Sequence, residues 1–355
     1  MVSAILTLLI VSGVGCNSAK PTDDTADRGA PAKPAPSQTL KIGYVLHGLN
    51  DFTQVIKRGA EDAGKSLGVD VEVVAPSTFN ATEAIGMFEG MVQKKKDGLV
   101  VVPMPGDQWV RPIKEATDAQ IPVVTANITS AKSTASAWFG QDEYKSGITL
   151  AAELRKLLDA ENKKTGTILI GICAPADATL QERYKGFKKG MEGTGYTLTD
   201  PKDVGTENTA NYNAWETQAS KAPAIVAAVG LCSMDIPNLA RLKTRSKATW
   251  IIEGYDLNQD TLDSIKAGTT QLTLGQNPYL QGYLPVLALV QHLRDKKQLP
   301  NGWVNVGTEI VTKQNVDSLY TRETDRTAEQ KWYADEIAKS FSDMAGTAKP
   351  LPAAH

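Results

Sequence analysis

From residue 40 onward the chain alternates two hydrophobic patterns. Short apolar runs at 41–47 (KIGYVLH), 69–74, 98–103 (GLVVVP) and 121–127 (IPVVTAN) read as strands. Between them, apolar residues recur at helical spacing. The segment 51–67 puts Phe52, Val55, Ile56, Gly59, Ala60, Ala63 and Leu67 on one face, the stripe of an amphipathic helix. Further helices are expected over 81–96 and 109–119. A second series repeats the theme, with strands at 166–173, 224–231, 249–256 and 271–276 and helices near 144–160, 179–193, 237–245 and 278–295. Apolar strands alternating with amphipathic helices imply parallel sheets covered on both faces. Two successive series predict an α/β chain of two doubly wound, Rossmann-like lobes. In such sheets ligands bind beyond the carboxyl ends of the strands. The residues that follow the strands here are rich in Asn, Asp, Gln, Arg and aromatics, with little suited to covalent catalysis.

The first residues follow neither pattern. Positions 4–11 (AILTLLIV) form an apolar core of signal-peptide length, followed by small residues and Cys16. This resembles a bacterial lipoprotein signal over 1–16, in which Cys16 is acylated and anchors the protein to the membrane. Gly13 stands where a Leu-like residue is usual, and no Lys or Arg precedes the apolar core; a plain secretory signal is the alternative. Residues 17–38, rich in Pro, Ala, Asp, Ser and Thr, read as a disordered tether. Export leaves Cys173 and Cys232, at the ends of strands that should be neighbours. They are read as buried free thiols, with a disulfide as the alternative.

Composition removes several function classes. With 38 basic and 40 acidic residues and a formal charge of -2, the chain has no basic excess to hold nucleic acid. Its three histidines, His47, His292 and His355, form no metal-ligand spacing, so neither a metal nor a cofactor is expected. The string GAEDAGKS at 59–66 satisfies the phosphate-loop pattern. That loop must follow a strand and open a helix, whereas this string ends a helix whose apolar stripe runs through it. No nucleophile elbow and no dinucleotide glycine pattern is present, so the chain is read as a non-enzyme.

Five segments in order resemble the ribose/galactose-type periplasmic sugar-binding family, substrate-binding components of ABC transporters. They are NDFTQVIKRGA (50–60), DGLVVVP (97–103) with IPVVTAN (121–127), TLQERYKGF (179–187), EGYD (253–256) and GQNPYLQG (275–282). The resemblance covers residues 40–315. It implies a type I periplasmic binding protein fold, with two lobes joined by a three-strand hinge and a ligand in the cleft between them. One lobe is then 39–142 plus about 277–307, the other 143–276 plus about 308–322, leaving 323–355 as a C-terminal helix, expected at 328–341, and a frayed tail.

Carried over residue by residue, the resemblance makes Asn50 a hydrogen-bonding partner of sugar hydroxyls and Phe52 a stacking surface for a sugar ring. Arg183, Asp256 and Gln276 become a polar clamp. Asn127, with Ile128, stands where the sugar-binding relatives carry Asp followed by Arg, which leaves the sugar's identity open. Thr53, Asp107, Trp109 and Cys232 complete the candidates. Local readings compete for several of these: a helix cap for Asp256, a solvated charge for Arg183, core packing for Phe52 and for Trp109, Trp138, Trp215 and Tyr279. Asp142 is expected at a lobe crossover. The function expected is capture of a small polar ligand, a monosaccharide, and its delivery by a monomer to a transporter permease. A sensory protein presenting the sugar to a membrane receptor is the alternative.

Overall fold

A computed structural model describes residues 39–353. The signal segment, the tether and Cys16 lie outside the described residues. Lobe 1 starts with β1 (Lys41–Val45), α1 (Asp51–Leu67), β2 (Asp70–Val74), α2 (Ala81–Gln93), β3 (Gly98–Val101), α3 (Val110–Asp118), β4 (Val123–Ala126) and β5 (Ala137–Gly140). Lobe 2 follows with α4 (Glu143–Ala160), β6 (Gly166–Ile172), α5 (Ala178–Gly190), β7 (Tyr196–Leu198), β8 (Lys202–Asp203), α6 (Asn208–Lys221), β9 (Ile225–Gly230), α7 (Asp235–Ser246), β10 (Ile251–Tyr255), α8 (Gln259–Lys266) and β11 (Leu272–Gly275). The chain then returns to lobe 1 for α9 (Pro278–Asp295) and β12 (Gly302–Asn305), and to lobe 2 for β13 (Glu309–Thr312). It ends in α10 (Val316–Thr324), α11 (Arg326–Ser340) and α12 (Met344–Thr347).

The first sheet has six strands in the order β12-β5-β4-β3-β1-β2, all parallel. The second has seven; its main path is β13-β11-β10-β9-β6-β7, and β8 pairs with β6. Only β13 runs antiparallel to its neighbour, β11. The described chain passes between the sheets at β5–α4, β11–α9 and β12–β13. The middle passage lies just beyond Gln276; the turn at Asp256–Leu257 stays inside lobe 2. The passages are bonded to one another. Thr308 donates to the Gln141 side chain at 2.7 Å, and the Asn277 side chain donates to the Val306 carbonyl at 2.9 Å.

Each lobe has apolar residues on both faces of its sheet, as parallel strands require. Ile42, Tyr44, Val100 and Val124 pack under α1 and α9, while Val45, Leu99, Val101 and Val123 pack under α2 and α3. Reciprocal glycines set the tightest helix contacts. A Cβ on Gly59 of α1 would sit 2.1 Å from the Tyr279 carbonyl oxygen, and one on Gly282 of α9 would sit 2.0 Å from that of Ile56. Lobe 2 repeats the device: a Cβ on Gly147 of α4 would lie 2.1 Å from the Arg183 oxygen, and one on Gly186 of α5 1.9 Å from that of Tyr144. Gly59, which opens the phosphate-loop-like string, therefore serves helix contact.

The C-terminal region differs from the single helix with a frayed end that the sequence suggests. Helix α10 packs on α8 and β13 of lobe 2. Helix α11 returns to lobe 1, where the Tyr333 ring stacks on Tyr279 at 4.3 Å. Lys349 then forms an antiparallel bridge to Trp303 on β12, because β12 is an edge strand with free backbone groups.

Candidate ligand-binding site

The cleft is bounded by the carboxyl ends of both sheets. From lobe 1, Asn127 follows β4 in the left-handed backbone region, at φ 59°, a conformation that Asn tolerates better than most residues. Its carbonyl accepts from the Trp138 indole at 3.0 Å, and its side chain donates to the Gln276 oxygen at 3.2 Å. Gln276, at the middle passage, donates in turn to Asp256 at 2.7 Å. Asp256 follows β10 with φ 77°. The cap of α8 is Asn258, not Asp256, so the competing cap reading of Asp256 gives way to a relay, Asn127 to Gln276 to Asp256, in which Asn127 is half-buried and the other two are buried.

Arg183 lies beside this relay on α5. Its Nε donates to Glu143 at 2.7 Å, its Nη1 to the Leu231 carbonyl at 2.6 Å, and its guanidinium carbon sits 3.7 Å from the centre of the Tyr255 ring. The Arg183 and Glu143 side chains are each 4% exposed, so Arg183 is not a solvated surface charge. Burial opposes its charge, but Glu143, Tyr255 and Asp256 together outweigh that penalty and raise its pKa. Glu143 also accepts from the side chains of Gln141 at 3.1 Å and Ser146 at 3.3 Å. Burial pushes the Asp256 carboxyl up to about 6 against the opposing pull of Arg183 and the Gln276 hydrogen bond. Asp235 is likewise raised to about 6 by burial, although Asn211, the Cys232 backbone N–H and Trp215 bond to it.

The remaining candidates divide. Phe52 is half-buried; it packs against the lobe 1 core and also borders a cavity of about 30 Å³ that Asp256 shares. Asn50 is the cap of α1, accepting from the Thr53 N–H at 2.9 Å, and borders a larger cavity of about 670 Å³. Thr53 is fully buried, its hydroxyl accepting from the Asn50 N–H. That reciprocal capping box occupies its hydroxyl. Trp109 is fully buried, edge-on to Phe88 at 5.7 Å, and belongs to the core. Asp107 is exposed and paired with Lys132 at 3.3 Å.

Cys232 is bonded to Cys173, with Cα atoms 6.1 Å apart. This corrects the expectation of free thiols. Strands β6 and β9 are adjacent, so their ends bring the sulfurs together. Sequence reasoning also missed Glu143. Its signal was the strand before it: β5 has only four residues, and unless that strand is recognised, Glu143 does not count as a post-strand residue. Among the described residues no group of His, Cys, Asp and Glu could hold a metal ion.

Comparison with known proteins agrees with this fold. Residues 42–297 match the model of the periplasmic binding protein domain. The chain is 25% identical over 299 residues to a xylose/arabinose-binding protein of Sulfolobus acidocaldarius, covering 78% of this chain and 72% of the relative. It is also 25% identical over 305 residues to a ribose import binding protein of Bacillus subtilis, covering 83% and 94%. A solved glucose-galactose binding protein from Geobacillus stearothermophilus superposes with a TM-score of 0.72 at 25% identity, over 79% of this chain and 99% of that one. The chain belongs to the periplasmic binding protein family.

Proposed function

We propose that the chain captures a neutral monosaccharide unit between its lobes outside the cytoplasm and delivers it to an ABC transporter. The observation that carries this reading is the relay Asn127–Gln276–Asp256 with Arg183 beside it. Sugar hydroxyls both donate and accept. Asp256 offers acceptor lone pairs, the Asn127 and Gln276 amides offer both functions, and Phe52 offers an apolar surface to ring C–H groups. The Arg183 charge is matched by Glu143, so little unpaired positive charge remains to attract a carboxylate or phosphate.

The relay residues bond to one another in this conformation. A ligand must replace those bonds with its own, and it shifts the lobes only by its differential affinity for the closed state. Hydrogen bonds made to both lobes at once supply that difference, and the closed pair of lobes is the shape the permease reads. The named relatives bind or import pentoses and hexoses, which supports the ligand class. Cys16 is the proposed anchor and a monomer the proposed working form.

Calorimetry with a panel of aldopentoses and aldohexoses tests the reading. One sugar should bind with 1:1 stoichiometry, unaffected by EDTA, and Asp256→Ala should weaken it by about 2–5 kcal/mol, the cost of truncating a buried charged partner. Absence of binding to every sugar, or binding unaltered in Asp256→Ala, overturns it.

A further inference from the structure

Beyond residues 42–297, the part that matches the family model, the chain makes a fourth passage between the lobes, from α10 to α11. Helix α10 is fastened to lobe 2. Lys266 of α8 pairs with Asp317 at 3.1 Å and lies 4.1 Å from the centre of the Tyr320 ring, and Arg322 donates two hydrogen bonds of 2.7 Å to Glu309 of β13. Helix α11 is fastened to lobe 1. Arg326 pairs with Asp62 of α1, Arg58 of α1 holds Glu329 at 2.9 Å, and the Tyr333 ring stacks on Tyr279 of α9 at 4.3 Å.

The joint between these helices has no slack. Helix α10 ends at Thr324 and α11 starts at Arg326, so Asp325 alone separates two helices held by different lobes. One residue advances the chain by at most about 3.8 Å. Asp325 is itself tied on both sides: its N–H donates to the Thr321 carbonyl at 2.9 Å, and its side chain accepts from the Ala328 N–H at 2.8 Å. Arg322 spans the joint. Besides bonding Glu309, its guanidinium lies 4.3 Å from the Trp332 ring centre and 5.5 Å from that of Tyr333. The joint also runs along the cleft. Glu323 and Thr324 border the same space as Gln54 and Arg58 of α1 and Gln259 of α8. Any parting of α1 from α8 therefore stretches it.

We propose that α10 and α11 form a strap that limits how far the lobes open, with Arg322 and Arg326 as its positioning residues. Opening beyond the reach of Asp325 must break the pair of Arg322 with Glu309 or that of Arg326 with Asp62. The Arg322 and Asp62 side chains are buried, and separating a buried charge from its partner is costly. The strap acts on affinity through populations. A protein whose binding-competent form is a fraction of the unliganded molecules binds more weakly by that fraction. Excluding wide-open forms raises the fraction, whatever ligand the lobes enclose.

Small-angle scattering on the purified protein tests the strap without any ligand. A run of glycines inserted between Thr324 and Asp325 lengthens the joint and removes no side-chain anchor. The unliganded radius of gyration should rise above that of the parent. With any aldopentose or aldohexose that the parent binds, affinity should fall by about threefold to tenfold, and the radius at saturation should match the parent's. Arg326→Gln releases the lobe 1 anchor at a partly exposed side chain; it should shift both readouts the same way by less, and it decides the matter if the insertion variant fails to fold. An unliganded radius unchanged in the folded variants overturns the strap. So does an increase that persists at saturation, which is expansion rather than opening. If the variants open but the parent binds no sugar of the panel, the strap stands and the sugar-binding reading falls.

Discussion

Lobe 1 brings the neutral amides Asn50 and Asn127 to the cleft, and lobe 2 brings buried charges. Asn50 and Asn127 are amides whose side chains or backbones are committed to a helix cap and to a left-handed turn. Across the cleft, Arg183, Glu143, Asp256 and Asp235 are buried charges that hold one another or neighbouring amides, and a disulfide ties the loops that precede α5 and α7, the helices of Arg183 and Asp235. A neutral amide can exchange a protein partner for a ligand hydroxyl at little cost, whereas a buried charge cannot lose its partner cheaply. The difference teaches that lobe 2 is the preformed half of the site and lobe 1 the half that adapts.

The largest effect should come from separating the buried pair. Arg183→Ala strands Glu143 and should cost about 3–5 kcal/mol of stability, read by chemical denaturation. The double variant with Glu143→Ala should recover part of that loss. A single variant as stable as the parent removes the claim that lobe 2 is preformed. The disulfide comes next. Reduction should lower stability by about 2–4 kcal/mol, and thiol counting on the denatured protein should find Cys173 and Cys232 both oxidised; two reactive thiols from these positions contradict the bond.

The third effect depends on pH. Burial raises the Asp256 carboxyl to about 6, from about 3.9 when unfolded. Between these values the native state keeps a proton that the unfolded chain has released, so this group's contribution to stability falls as pH rises through the window. Asp235 has the same sign. Affinity runs the other way, because the ionised carboxylate accepts ligand hydroxyls. Binding should weaken as pH drops below 6, by up to about tenfold per unit, and Asp256→Asn should flatten the profile. A flat profile in the parent contradicts the role of Asp256. The smallest effect belongs to lobe 1: Asn127→Ala should cost about 0.5–1.5 kcal/mol of affinity, one neutral hydrogen bond. A loss as large as that of Asp256→Ala would erase the distinction between the lobes.

Much of the fold could be read from hydrophobic periodicity. The helix over 51–67 and the early strands were legible because burial on both sheet faces leaves unmistakable apolar runs. The motif glycines were legible as a pattern but not as a cause; their role as contact points between paired helices needs the third dimension. Asn127, Gln276 and Asp256 were legible as residues after strands, yet their bonds join positions 149 and 20 residues apart. Helix α11 was legible as the helix expected at 328–341, but Glu143 and the contacts that α11 makes with lobe 1 were not. Glu143 follows a strand too short to show a period, and α11 carries its contacts as single polar and aromatic residues rather than as an apolar stripe.

The most direct test is a titration of the isotope-labelled protein with the sugar it binds, followed by the amide signals of both lobes. The account predicts that Asn127 from lobe 1, Gln276 at the passage and Asp256 from lobe 2 shift together with one Kd. Changes confined to one lobe, or two lobes titrating with different Kd values, would contradict a ligand held between them.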